Sequence, residues 1–354
     1  MDKDQLEEMK KNTEKYLNFL LQILVDNEGS DLYLIANEYP AVRVNDGVVK
    51  LRKLDKLEPD LMQLAYWMMT DIQEAFRVTQ NLDLGFAYNG RRFRVNISMQ
   101  KNTVMIVFRL LGEKIPTIDD LKLPIVFKKL IAKKSIIFVT PTGSGKTSTL
   151  SAMIEEVNMN YAKNIITIED PIEYEYHAKK SLIEQKELGK DVPNYATALM
   201  AMRQRPDIIL VEARDAESIS SVITLAETHL VFTTLHTKSA PQTINRIIDS
   251  FPTDQQNQVR VQLADTLAII AQRLIKKEGM IAAFEILICS PAVSNLIREN
   301  QIAGIYNVMQ TSRGVGMISL EDYLLSLIRK RLISVEDAFF FANRTEYMQN
   351  ELGV

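Results

Sequence analysis

The chain has 354 residues, with 42 Lys and Arg against 45 Asp and Glu, a net charge of −3. That length exceeds one typical core and predicts two domains, while the near-neutral balance supplies no field to attract nucleic acid or an anionic membrane. A single cysteine, Cys289, excludes a disulfide framework and an all-cysteine zinc site; the absence of a signal-peptide pattern and of any membrane-length apolar run makes the expectation a soluble cytoplasmic protein.

Leu17, Leu20, Leu21 and Leu24 recur at helical spacing near the start. Alternating stretches follow at Asp31–Ile35 and Ala41–Val44, the second running into the turn Asn45-Asp46-Gly47. A helix is predicted over 59–78 and strands around 85–88, 93–98 and 104–109. Mixed strands with two helices predict an α+β domain over 1–112, and 113–117, with Pro116, reads as a linker. From Leu121 onward apolar strands at 135–139, 164–168, 207–211 and 230–234 alternate with helical runs, as in a parallel sheet with crossover helices. Beyond about Asp254 the pattern reads as mostly helical through Leu263, Leu267, Ile270 and Leu274, interrupted by a β segment near 281–289 in which Cys289 reads as a buried small hydrophobe. The second domain is therefore placed at 118–354.

Within it, Thr140-Pro141-Thr142-Gly143-Ser144-Gly145-Lys146-Thr147 follows a strand and opens a helix, the context of a phosphate-binding P-loop. Backbone N–H groups from Thr142 to Ser148 can cradle phosphate oxygens. In this reading Lys146 reaches the β- and γ-phosphates of ATP and Thr147 holds Mg²⁺. The first position of the strict pattern is glycine, and here it is Thr140. The plain alternative is a glycine-rich surface turn with a solvated lysine.

Asp207-Ile208-Ile209-Leu210-Val211-Glu212 is an apolar strand ending in an acid, the form of a Walker B element, whose carboxylate holds Mg²⁺ or orients water. Glu169, Asp170 and Glu173 cluster after another strand, with Pro171 fixing the turn. Glu173 is the candidate to polarise the attacking water, and Glu169 and Asp170 stand near the metal; a solvated acidic loop is the ordinary meaning of such a cluster. His229 and His236 flank one apolar strand and suit groups that sense a γ-phosphate, although an isolated histidine at a strand end is more often structural.

Taken together these segments resemble the PilT/PilU-type retraction ATPases of type IV pili, within the bacterial secretion ATPase superfamily. The resemblance runs from about residue 18 to 345 and includes 30–34, 92–96, the acidic box at 167–174, the Walker B strand, the histidine box at 229–236 and 244–249. It extends to Pro291-Ala292-Val293-Ser294-Asn295-Leu296-Ile297-Arg298-Glu299, like that family's retraction signature, and to 316–322.

The resemblance implies an α/β protein, with an N-terminal PAS-like α+β domain followed by a RecA-like P-loop ATPase domain ending in helices. It further implies a homohexamer that binds nucleotide between the domains, near the subunit interface, with Arg94 and Arg109 reaching the phosphates. Hydrolysis of ATP to ADP and phosphate would drive rigid-body domain motion that retracts the pilus in twitching motility. The partners implied are an inner-membrane pilus platform protein and a paralogous retraction ATPase, at the inner face of the cytoplasmic membrane.

The sequence departs from that family pattern. Glycines are missing before Pro141, Glu212 and His229, Thr233 replaces another, the stretch 202–206 is one residue short, and Ser294 stands where retraction motors carry arginine. Side chains at strand tips resist φ > 0, and a one-residue deletion turns later side chains over, so a misdirected Glu212 is expected to weaken turnover while the fold survives. The second reading is accordingly a weakly active nucleotide-binding ring subunit that assists another motor. A pilus-extension or type II secretion ATPase is disfavoured because those carry a paired CxxC zinc module. A DNA-moving ring is disfavoured because no basic–aromatic stripe appears.

Overall fold

The computed structural model describes every residue except 1, 2, 46, 70–75, 77, 78, 113, 133, 134, 142, 195–203, 214, 278 and 354. The chain divides into two compact units, residues 1–114 with 170–175, and residues 115–169 with 176–354. The short segment 170–175, internal to the second domain by sequence, thus groups with the N-terminal unit.

The first unit carries helices α1 (Lys3–Asp26) and α2 (Pro59–Met69) and strands β1 (Asp31–Ile35), β2 (Ala41–Val44), β3 (Gly47–Lys50), β4 (Asn81–Tyr88), β5 (Arg91–Gln100) and β6 (Thr103–Leu110). The strands form one antiparallel sheet ordered β3-β2-β1-β6-β5-β4. On β6 the buried residues Val104, Ile106 and Phe108 alternate with more exposed ones, as a sheet covered on one face requires. Leu17, Leu20, Leu21 and Leu24 of α1 pack into the same core, each burial contributing roughly 1.5–3 kcal/mol. Part of the helix predicted over 59–78 lies outside the described residues.

The second unit is built on a seven-stranded sheet of β7 (Ser135–Thr140), β8 (Asn164–Glu169), β9 (Leu182–Glu187), β10 (Ile208–Val211), β11 (Leu230–Thr234), β12 (Leu267–Lys277) and β13 (Gly279–Ile288). Its order is β13-β12-β7-β11-β10-β8-β9, and every pairing is parallel except that of the edge strand β13. Helix α3 (Val126–Leu130) precedes β7, and α4 (Lys146–Asn160), α5 (Ala216–Ala226), α6 (Ala240–Asp249) and α7 (Thr253–Thr266) connect these strands. After them come α8 (Pro291–Arg298), α9 (Ile305–Thr311), α10 (Leu320–Arg329), α11 (Val335–Phe341) and α12 (Thr345–Leu352). Alternate residues of β7 serve two cores. Ile137 and Val139 pack with Leu150, Met153 and Ile154 of α4, whereas Ile136 and Phe138 pack with Ile244, Ile247 and Ile248 of α6.

Two expectations change. Residues 267–277 are strand β12 rather than helix. Leu267-Ala268-Ile269-Ile270-Ala271 is apolar at every position because β12 lies between β7 and β13, with Ile269 in one core and Ile270 in the other. A strand buried on both faces loses the alternation that identifies strands, and its leucines fit a helical spacing by coincidence. Cys289 is half-buried, with its thiol against the Ala264 carbonyl.

Candidate functional site

Parallel pairing sends the C-terminal ends of β7, β8, β10 and β11 to one edge of the sheet, the edge at which open α/β sheets bind ligands. β7 delivers the P-loop there. Gly143 and Gly145 have φ of +73° and +84°, a region that side chains rarely enter, so both retained glycines are required by the backbone. Ser144 is buried, and its hydroxyl donates to the Pro141 carbonyl at 2.6 Å, folding the loop on itself. Gly145 is the N-cap of α4 and makes no side-chain cap hydrogen bond, so the first turn, Lys146, Thr147 and Ser148, begins directly at the end of the loop. A helix start of this kind, with its N–H groups and positive dipole end, suits an anion such as a phosphate. Thr142 lies outside the described residues.

Glu169 ends β8, where its Oε1 accepts from Thr167 Oγ1 at 2.6 Å and from Gln185 Nε2 at 3.2 Å. Glu212 follows β10 and is half-buried. His236 follows β11 and is exposed at this same edge. His229 precedes β11, and because Leu230 pairs with Ser135, the first residue of β7, it stands at the opposite edge. Its Nδ1 lies 2.6 Å from Thr228 Oγ1 and 3.0 Å from the Leu225 carbonyl. Five strand residues at about 3.3 Å each separate the two histidines. Of these two histidines, therefore, His236 lies at the end of the sheet that carries the P-loop and His229 does not.

Asp170 and Glu173 belong to the first unit, with Arg94 and Arg109. Arg94 lies 3.1 Å from Asp83 and 3.5 Å from Glu173, and Arg92 pairs with Glu175. Arg109 donates to the buried Asp31 at 2.8 Å, while its own side chain is 65% exposed. Among the described residues no group of three His, Cys, Asp or Glu side chains could hold a metal ion alone. Glu169 and Glu212, both in the second unit, thus belong to no such carboxylate group. Mg²⁺ rarely uses one, being held by one or two protein oxygens together with substrate phosphates.

The missing glycines do not strain the backbone. Thr140, Val211, Thr228 and Thr233 all keep negative φ, Thr140 and Thr233 inside β7 and β11. In the shortened stretch 202–206, Met202 and Arg203 lie outside the described residues, and Arg205 takes a φ of +52°. Ser294 is buried, with its hydroxyl against the Ala264 carbonyl and 3.2 Å from Cys289 Sγ.

One site residue escaped the sequence reading. Gln272 of β12 is 1% exposed; its amide donates to the Ser144 carbonyl, and its oxygen accepts from Thr149 Oγ1 at 3.0 Å. A glutamine inside an apolar run was the available signal, hidden while that run read as helix.

The family model for type II/IV secretion system proteins matches residues 7–312. The type IV pilus retraction ATPase PilT of Pseudomonas aeruginosa is 42% identical over 330 residues, covering 90% of this chain and 96% of that protein. The type IV pilus ATPase PilU of the same organism is 36% identical over 336 residues, covering 92% and 88%. Among solved structures, that of the pilus retraction motor PilT with bound ADP superimposes with a TM-score of 0.86 at 37% identity, covering 94% of this chain and 98% of that one. A P-loop, a strand-end acid and a histidine loop gathered on one sheet edge agree with this likeness over nearly the whole length. The chain belongs to the type II/IV secretion system protein family, among its PilT-type ATPases.

Proposed function

We propose that the chain is a Mg-ATP-dependent motor of type IV pilus retraction that works as a homohexamer against an inner-membrane platform protein. The observation that carries this reading is the convergence of the P-loop, Glu169, Glu212 and His236 on the C-terminal edge of one parallel sheet. In hydrolysis the oxygen of a water bonds to the γ-phosphorus while the bond from that phosphorus to the β–γ bridging oxygen breaks, leaving ADP and phosphate. Lys146 and the first-turn N–H groups of α4 bind and orient the phosphates, offsetting their charge. Thr147 supplies the hydroxyl for Mg²⁺, which neutralises the developing charge when bound. Glu212 orients the water or serves the metal, Glu173 is the candidate base, and His236 is the candidate sensor of the γ-phosphate. Arg94 and Arg109 are the candidate phosphate-reaching arginines, an effect worth roughly 10³–10⁵ in rate where such a finger operates. The negative φ of every residue standing in place of a glycine favours an active motor over an assisting subunit.

Steady-state phosphate release tests the reading. Turnover should be lost in Lys146→Ala through failed ATP binding, and in Glu212→Gln with ATP binding retained. Binding without turnover in the unaltered protein would instead establish the assisting subunit.

A further inference from the structure

Gln272 and Arg273 are consecutive on β12, so their side chains leave opposite faces of the sheet. On one face Gln272 reaches Ser144 in the P-loop and Thr149 in α4. On the other, Arg273 Nη2 donates at 2.6 Å to the carbonyl of Lys238, two residues after His236. Asn343 Nδ2 donates to that same carbonyl at 3.3 Å. Glu285, opposite Ala271 on β13 and so on the same face of the sheet as Arg273, is fully buried and accepts the Ala240 N–H that begins α6 at 2.5 Å. One antiparallel strand pair therefore grips both loops.

We propose that Gln272 and Arg273 are positioning residues for ATP hydrolysis, Gln272 fixing the P-loop and Arg273, with Glu285, fixing the loop that carries His236. The inference rests on the reading of this edge as the ATP site. In a trans peptide C=O and N–H point opposite ways. Holding the Ser144 carbonyl against Gln272 therefore aims the Gly145 N–H away from Gln272. The amide is already turned before a phosphate arrives, and binding need not meet the cost of ordering it. Gly145 cannot hold this orientation itself, since glycine is the least restricted residue. A β-carbon on Gly145 would stand 3.4 Å from Gln272 Nε2, which shows how closely the amide is seated. The Lys238 carbonyl plays the corresponding part for the His236 loop.

Gln272→Met keeps length but neither donates nor accepts, and Gln272→Glu keeps only the acceptor for Thr149. Both should weaken ATP affinity about ten-fold, as expected when a buried carbonyl loses its donor, with kcat at saturating ATP little changed. Arg273→Met should lower kcat about ten-fold at nearly constant KM, with partial rescue by Arg273→Lys. In the nucleotide-free full chain, hydrogen exchange should quicken over 141–149 for the Gln272 variants and over 235–241 for Arg273→Met. Unchanged exchange would overturn the clamp. Quickened exchange with unaltered affinity and kcat would overturn its role in hydrolysis. Lys146→Ala runs in parallel: if it still binds ATP, the site reading fails, whereas the exchange data still decide the clamp.

Discussion

Thr140 and Thr233 stand in place of glycines, and the structure puts a definite cost on them. Both are fully buried, and neither Oγ1 has a hydrogen-bond partner among the described residues. Thr233 pairs with Phe138, and Thr140 lies two residues further along β7, so both face the core that holds Ile136 and Phe138. A hydroxyl buried without a partner costs about 1–3 kcal/mol. Thr233→Val keeps the β-branched shape and replaces the hydroxyl with a methyl group, so it should stabilise the ATPase unit by about 1–2 kcal/mol. At about 2–4 °C per kcal/mol for a unit of this size, the melting temperature should rise by about 2–8 °C. Thr140→Val should act alike. The assay is scanning calorimetry, with the ATPase transition identified by its shift on adding nucleotide. A fall of about 1 kcal/mol or more in Thr233→Val would mean that the hydroxyl is paired in solution, and the reasoning would fail.

Other outcomes follow from the same geometry. Burial pushes the Glu285 carboxyl up from 4.5 to about 7, against the opposing pull of the Ala240 N–H. Between those values the folded protein holds a proton that the unfolded chain has released, so this group's contribution is full below pH 4.5 and is lost as pH rises through about 7. Glu285→Gln, whose amide oxygen still accepts from Ala240, should flatten that slope by up to about 3 kcal/mol in denaturation across pH 5–8. Gly143→Ala should cost about 1–2 kcal/mol through its positive φ alone, since open space surrounds its β-carbon. Gly145→Ala meets Leu274 at 3.3 Å as well as Gln272, so it should be the more destabilising and should also weaken ATP binding; equal effects in urea titration would refute the close approach.

Consecutive residues alone specify the local elements whose chemistry they carry. Gly143-Ser144-Gly145-Lys146-Thr147 after an apolar strand needs positive φ twice and a helix start without a side-chain cap, and the structure supplies both. Glu212 at the end of an apolar strand was equally legible. The stripe Leu17, Leu20, Leu21 and Leu24 fixed the core face of α1, because an isolated amphipathic period has one interpretation. Other features were decided by pairings between residues far apart in sequence. Residues 267–277 became a strand only because β7 and β13 flank them, since burial on both faces erases the period-two signal. That assignment carried Gln272 to the P-loop, 128 residues away in sequence. The fate of the two histidines was likewise tertiary. Their spacing says only that they flank a strand, whereas parallel register with β7 sends His236 to the P-loop edge and His229 to the other. Local backbone preference is printed residue by residue, but strand register and burial on two faces are properties of neighbours that the chain meets only when folded.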